Sequence, residues 1–380
     1  MLPAVLFFLP AVSVSPTPSP AWPWEEKKER VNGVSKNSNL HGAKRAKKDE
    51  FYTQWPDIEK EVTAYLNYDP DVFRDKTLLL PCDDPEWSNF TKFFALRFRE
   101  FGLKKLISTS LAPAATVQGH SRGKIFVLER EDDHTGDCGS TWSYLQGDGD
   151  FRSDEVKALR DEADMVITNP PFSLFREFLA WLSEGDVAFS IIGNTNTITY
   201  KEVYPLIKDN RLWLGATGNS NDMVFRVPAG AKVRDEDREK AARLGYPSTD
   251  TKVYTRLGNS CWFTNIQHGR RHEPLSLRTM ADNVRFNKRI AGNPHAYTTY
   301  DNFDAIEVPA TAGIPSDYTG VMGVPISFLD KYNPDQFEIV KFRHGNDGKD
   351  LRILQDNGKT KTPYFRVLIR HAGGGQLAAW

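Results

Sequence analysis

Four short apolar runs limit how this chain folds: Thr77-Leu78-Leu79-Leu80, Lys105-Leu106-Ile107-Ser108-Thr109, Asp164-Met165-Val166-Ile167-Thr168 and Val187-Ala188-Phe189-Ser190-Ile191-Ile192. A strand with one wet face alternates apolar and polar residues. Thr77 to Leu80 does not, so burial on both faces is expected there, and the other three runs are expected strands beside it. Between them, Phe90, Phe93, Phe94, Leu96 and Phe98, interleaved with Lys92, Arg97 and Arg99, predict a helix. Phe175, Phe178, Leu179 and Leu182 recur at i, i+3, i+4 and i+7 and predict another. Strands alternating with helices predict an α/β fold with a doubly wound parallel sheet, whose ligands lie at the carboxyl ends of its strands.

Further strands are expected at Lys124 to Leu128 and Arg211 to Leu214, and Thr199 with Glu202 has the form of a capping box opening a helix through Ile207. From about Thr217 to Pro325 the pattern breaks into short pieces rich in Asn, Arg, Gly and Pro, which reads as a second, less regular lobe. Phe337 to Phe342 and Tyr364 to Ile369 are expected strands, followed by a frayed Gly373-Gly374-Gly375 tail.

With 380 residues and a formal net charge of -1, the chain is large enough for a big core and does not announce a polyanionic partner through overall charge. Any basic surface must be local. Cys82, Cys138 and Cys261 lie far apart with no Cys-x-x-Cys pair, which argues against a zinc site or a disulfide framework and fits a reducing, cytoplasmic setting; no metal is expected. The run Ala4-Val5-Leu6-Phe7-Phe8-Leu9 superficially resembles a secretory signal. No Lys or Arg precedes it, Pro3 and Pro10 interrupt it, and it is too short to span a bilayer, so residues 1–47 read as a disordered arm and no membrane partner is expected.

Directly after the third apolar run and directly before the second helix stands Asn169-Pro170-Pro171-Phe172, where a doubly wound sheet exposes a loop to its ligand. A ring-conjugated amine is a poor nucleophile because its lone pair is delocalised. A site that methylates one must accept its hydrogens and hold it in line with the methyl group. The Asn169 side-chain oxygen and the Pro170 carbonyl are the two acceptors, successive prolines fix the backbone that carries them, and Phe172 offers a face to stack on the base. The plainer alternative is a strand-to-helix turn that the prolines break and Asn169 caps. Alone, the tetrapeptide specifies an amino-methyltransferase of open substrate class.

Other blocks narrow that class. Lys48-Asp49-Glu50-Phe51-Tyr52-Thr53-Gln54, Cys82-Asp83-Asp84-Pro85 through Ser88-Asn89-Phe90, Gly147-Asp148-Gly149-Asp150-Phe151-Arg152-Ser153 and Thr168 to Phe175 occur in order. Ile192-Gly193-Asn194, Ile198 to Val203 and Gly320 to Pro325 follow. Across roughly Asn37 to Val340 the chain resembles the EcoRI-type adenine-specific DNA methyltransferases. The resemblance implies a Rossmann-like domain binding S-adenosylmethionine, a DNA-recognition region after the catalytic loop, and transfer to adenine N6 in double-stranded DNA with the base flipped out. It places Phe51 and Thr53 near the methionine end of the cofactor, with an ordinary helix start as the alternative, and Asp150 and Phe151 at its adenine, with a polar turn carrying a solvated Asp as the alternative. Asp83 or Asp84 would face the methionine ammonium, or else form a turn carrying solvated acids. The Gly-x-Gly turn expected after the first strand is replaced by Pro81-Cys82-Asp83-Asp84-Pro85, and the second strand ends in Thr109 and Ser110 with no acid for the ribose.

Arg270, Arg271, Arg278, Arg285, Lys288 and Arg289 face only Glu273 and Asp282 in the same stretch. Phosphate contact is their natural role, and a solvated face is the alternative. Lys44, Arg45, Lys47 and Lys48 form a second basic cluster on the arm. The division expected is thus 1–47 arm, 48–216 methyltransferase domain, 217–340 target-recognition region and 341–380 C-terminal extension. A restriction endonuclease sharing the target is an expected companion without a stable complex. The same fold acting on RNA or protein amide nitrogen, or a catalytically silent DNA-binding protein, are the competing readings.

Overall fold

A computed structural model describes residues 51–374 except 113–121, 132–137, 218–221, 229 and 356. The amino-terminal apolar run, the expected arm and the basic cluster from Lys44 to Lys48 lie outside the described residues. The chain enters through strand β1 (Tyr52–Thr53) and helix α1 (Trp55–Tyr68). Then come β2 (Thr77–Leu80), α2 (Asn89–Leu96), β3 (Lys105–Ser110), β4 (Lys124–Arg130), β5 (Cys138–Tyr144), α3 (Asp154–Glu162), β6 (Met165–Thr168), α4 (Phe175–Gly185) and β7 (Ala188–Asn194). Helix α5 (Tyr204–Lys208), β8 (Trp213–Leu214), β9 (Met223–Val227), α6 (Asp235–Arg243), β10 (Val253–Leu257) and β11 (Ser260–Thr264) follow.

The main sheet has the order β5-β4-β3-β2-β6-β7-β11-β8. Its centre, β3-β2-β6-β7, is parallel, with Leu78 opposite Leu106 on one side and Met165 on the other. Every residue of β2 and β6 is buried, as uninterrupted apolar runs require. The whole sheet is mixed rather than parallel: β4 runs antiparallel to β3, and β11 enters antiparallel between β7 and β8. Crossovers that carry a helix keep the centre parallel, whereas β4 and β5 pair antiparallel at its edge. Helix α5 starts at Tyr204 rather than at the Thr199 capping box. Pro205, which has no N–H to lose, occupies its first turn, and Thr199 turns its hydroxyl to the Asn196 carbonyl instead.

Beyond Thr217 the chain is more ordered than its composition suggests. β1, β9 and β10 form a three-stranded sheet. Helix α7 (Met280–Phe286) leads to β12 (Thr299–Tyr300), β13 (Phe303–Glu307), β14 (Met322–Pro325), β15 (Phe337–Phe342), β16 (Ile353–Leu354), β17 (Thr360–Lys361) and β18 (Arg366–His371). A five-stranded sheet takes the order β12-β13-β14-β18-β15. One hydrophobic core runs through both large sheets, joining Leu79, Val166 and Ile191 to Val324, Phe337 and Ile369. Packing therefore crosses residues 217 and 341: β11 completes the first sheet, and β15 and β18 belong to the second. Among the described residues no helix is long and apolar enough to cross a membrane.

Candidate active site

Thr168 ends β6 opposite Ile191 of β7, so the chain leaves the middle of the sheet at its carboxyl edge. Pro170 and Pro171 stop further pairing by withholding two N–H groups. A single 3-10 turn, Phe172–Leu174, then feeds α4, with Leu174 N donating to the Pro171 carbonyl at 2.9 Å. The Asn169 Nδ2 donates to the Phe51 carbonyl at 2.5 Å. A carbonyl only accepts, so this contact turns the amide's NH2 inward and presents Oδ1. That oxygen is buried and, among the described residues, has no partner; the same holds for the Thr53 hydroxyl on β1. Each buried polar atom without a partner calls for an explanation, and a bound ligand would supply one at Asn169, next to the end of β6.

Aromatic rings close over this point. Phe51 stacks on Phe172, with centroids 5.3 Å apart and planes at 21°, and Phe225 meets both rings edge-on at 5.8 and 6.3 Å. Pairing of β1 with β9 puts Phe225 opposite Thr53. Sequence reasoning missed Phe225 because it lies in the stretch taken as irregular. The run Met223-Val224-Phe225-Arg226-Val227, rich in β-branched and aromatic residues, was the available signal.

The acids after β2 differ sharply. Asp83 is buried: its Oδ1 accepts from the Ser88 hydroxyl and its Oδ2 from the Thr168 hydroxyl, each at 2.6 Å. Burial pushes its carboxyl up to about 6. Asp84 is half-buried, 3.2 Å from Lys124 Nζ, and its other oxygen caps the Glu86 N–H at 2.9 Å. Asp150 sits on a loop that only Gly149 allows, since its φ is +82° and a Cβ there would lie 2.3 Å from the Ser110 carbonyl oxygen. This tucks the loop against the end of β3. Both Asp150 oxygens accept from Arg152, whose hydrogen bond holds the carboxyl below its usual range. The Phe151 ring is part of the core, 5.0 Å from Phe178 and 5.8 Å from Trp181, with the Arg152 guanidinium 5.5 Å from its centroid.

The basic residues separate into two sets. Arg271 is buried, with its guanidinium 3.9 Å from the Trp213 ring centroid and Nη2 donating to Asn210 at 2.8 Å. Arg270 donates to the Ala216 carbonyl at 2.7 Å and pairs with Asp330 at 2.6 Å. Arg271 is thus turned into the fold, with Nε and Nη1 buried and without a partner among the described residues, and Arg270 is engaged by Ala216 and Asp330. Arg278, Arg285, Lys288 and Arg289 are exposed and form no ion pair with other described residues. Val284 and Phe286 are exposed beside them.

Residues 39–372 match the family model described as "Adenine-specific methyltransferase EcoRI". The chain is 43% identical over 341 residues to the Type II methyltransferase M.EcoRI of Escherichia coli, covering 88% of this chain and 97% of that protein. It is 34% identical over 340 residues to the Type II methyltransferase M.MpnI of Mycoplasma pneumoniae, covering 86% and 96%. With the Type II methyltransferase M.MgeORF184P of Mycoplasma genitalium it shares 34% over 349 residues, covering 87% and 98%. No solved structure matches the chain. The chain belongs to the EcoRI family of adenine-specific methyltransferases.

Proposed function

We propose that this enzyme methylates adenine N6 in double-stranded DNA at a specific sequence, as the modification half of a restriction-modification pair or as an orphan methylase. The observation that carries this is the buried Asn169 Oδ1, locked outward by the Phe51 carbonyl and left without a donor. In this reading Oδ1 accepts one N6 hydrogen and the Pro170 carbonyl the other, drawing the lone pair out of the ring. Pro171 stiffens the loop between them. An adenine inside a stacked duplex cannot reach this point, so the base is flipped out. The face of Phe172, now stacked on Phe51, offsets part of the unstacking cost.

S-adenosylmethionine supplies an electrophilic methyl group on a sulfonium. The unpartnered Thr53 hydroxyl and the adjoining Phe51 fit its methionine end, and Asp84, Asp150 and Phe151 line the neighbouring loops at the carboxyl edge. For Asp150 to accept from an adenine amine, Arg152 must give up part of its hold. The exposed Arg278, Arg285, Lys288 and Arg289 lie in residues 217–340, the proposed recognition region, where they would contact phosphates. The proposed setting is the cytoplasm, at the nucleoid, with an endonuclease sharing the target but no stable complex.

Sequencing of adenine methylation in DNA from cells expressing the chain tests this, with radiolabelled transfer to DNA, RNA and protein alongside. Methyl-adenine at one recurring sequence is expected. Label in RNA or protein and never in DNA would overturn the acceptor.

A further inference from the structure

Hydrogen bonds close a circuit around the candidate active site. Starting at Thr168, its hydroxyl donates to Asp83 Oδ2, and Asp83 Oδ1 accepts from Ser88, both at 2.6 Å. Ser88 caps α2, its oxygen accepting from Phe90 N at 3.0 Å. The next residue, Asn89, donates its Nδ2 to the Thr53 carbonyl at 2.7 Å. Two residues earlier, just before β1, the Phe51 carbonyl holds Asn169 Nδ2, and Asn169 is bonded to Thr168. Asp83 is itself pinned by two further bonds: its N–H donates to the Thr109 carbonyl at 3.0 Å, and its carbonyl accepts from the Ser108 hydroxyl at 2.7 Å.

We infer that Asp83 is a positioning residue, whose buried carboxylate ties Thr168 to Ser88 and thereby sets where Asn169 presents its oxygen, rather than a ligand of the methyl donor. Both carboxylate oxygens are occupied by hydroxyls, and the side chain is 6 % exposed, between Thr168 at 0 % and Ser88 at 4 %. Hydroxyl-to-carboxylate distances of 2.6 Å are those of charge-assisted bonds, roughly twice as strong as neutral ones. A buried acid is expensive, and an apolar pair of similar volume commonly serves stability as well. What the acid adds here is direction. Thr168 has only one route into Asn169, so fixing its hydroxyl fixes the register of the loop root, while the other arm of the circuit fixes β1 against the same loop. A catalytic contact misplaced by about 1 Å is worth on the order of a hundredfold in rate.

This inference rests on the reading of Asn169 as the amine acceptor, and the test separates the two. Thr168→Val, Thr168→Ser, Asp83→Asn and Asn169→Ala would be assayed with adenine-unmethylated plasmid DNA and S-adenosylmethionine, measuring kcat, dissociation constants for each, and amide hydrogen exchange of the free protein. Thr168→Val is expected to lower kcat by about ten- to a hundredfold, leave both dissociation constants within about threefold, and quicken exchange across residues 169–175 only. Thr168→Ser, which keeps the hydroxyl, should restore most of the rate. Asp83→Asn should resemble Thr168→Val, and the double variant should be no worse than either alone. Normal turnover of Thr168→Val alongside an inactive Asn169→Ala overturns the inference and spares the acceptor. Weakening of donor binding more than tenfold by Asp83→Asn, absent in Thr168→Val, overturns it by making Asp83 a ligand. A fully active Asn169→Ala sinks the acceptor itself.

Discussion

Two buried polar sites at the carboxyl edge of one sheet have opposite bookkeeping. Where β8 ends, Glu61 on α1 is fully buried and takes four donors: Tyr65 OH at 2.7 Å, Ala216 N and Thr217 N at 2.9 Å each, and Thr217 Oγ1 at 2.7 Å. Even the glycine between is committed, since a Cβ on Gly215 would lie 2.3 Å from Glu61 Oε1. Where β6 ends, Asn169 satisfies only its NH2 and Thr53 leaves its hydroxyl open. Burial and polarity are the same in kind at the two places. Completeness differs, and completeness separates a strut from a site.

Asn169→Ala should cut turnover by roughly a thousandfold, about 4 kcal/mol of transition-state stabilisation, while loss of the bond to the Phe51 carbonyl costs only about 1 kcal/mol of stability; a loss of stability comparable to that in turnover would make Asn169 a strut like Glu61. Glu61→Ala should show the reverse. It strands one buried and three half-buried donors, and about 2–4 kcal/mol of unfolding free energy should be lost in denaturant titration. Little loss would mean that the Gly215 to Thr217 turn finds other acceptors.

A third measurement probes the same edge through acid. His268 Nε2 lies 3.0 Å from the Leu214 carbonyl, and burial lowers the imidazole from 6.5 to about 4. Between those values the unfolded chain binds the proton and the folded one does not, so this group's contribution is intact above about 6.5 and drains away as pH falls toward 4. Relative to His268→Gln, which keeps a donor for Leu214 and does not titrate, the wild type should lose up to about 3 kcal/mol over that range. A pH-independent gap would place His268 in contact with water. The smallest effect separates the two sets of basic residues. Replacing Arg285, Lys288 and Arg289 with alanine should flatten the plot of log Kd for duplex DNA against log salt by about 2–3, whereas Arg270→Ala and Arg271→Ala should lower the melting temperature and leave the slope.

The central sheet and the catalytic loop were legible because their signals are local. An apolar run without alternation has to be buried on both faces, and β2, β6 and β7 are. Two prolines after such a run stop the strand wherever it sits. The antiparallel insertion of β11 was not legible. Ser260-Cys261-Trp262-Phe263-Thr264 is an apolar run of the same kind, but its neighbours β7 and β8 lie 46 or more residues earlier in the chain. Helix α6 was missed for another reason: its sequence is almost wholly charged, and Ala241 is its only buried apolar residue. The basic stretch looked uniform in the sequence, and tertiary packing divided it by turning Arg271 onto Trp213 and leaving Arg285 and Arg289 outside.

By itself the sequence determined the parallel centre of the sheet, the place of Asn169 to Phe172 at a strand end, and through its ordered blocks the family. Those are properties of short segments, set by side-chain burial and by the backbone limits of proline. Only the tertiary structure decided that Phe225 joins Phe51 and Phe172, that Asp83 faces Thr168 rather than open space, and that the Phe51 carbonyl orients the Asn169 amide. Each of these joins residues between 53 and 174 positions apart in the chain. A hydrogen bond's direction depends on where both partners stand, and for such pairs the fold alone sets that.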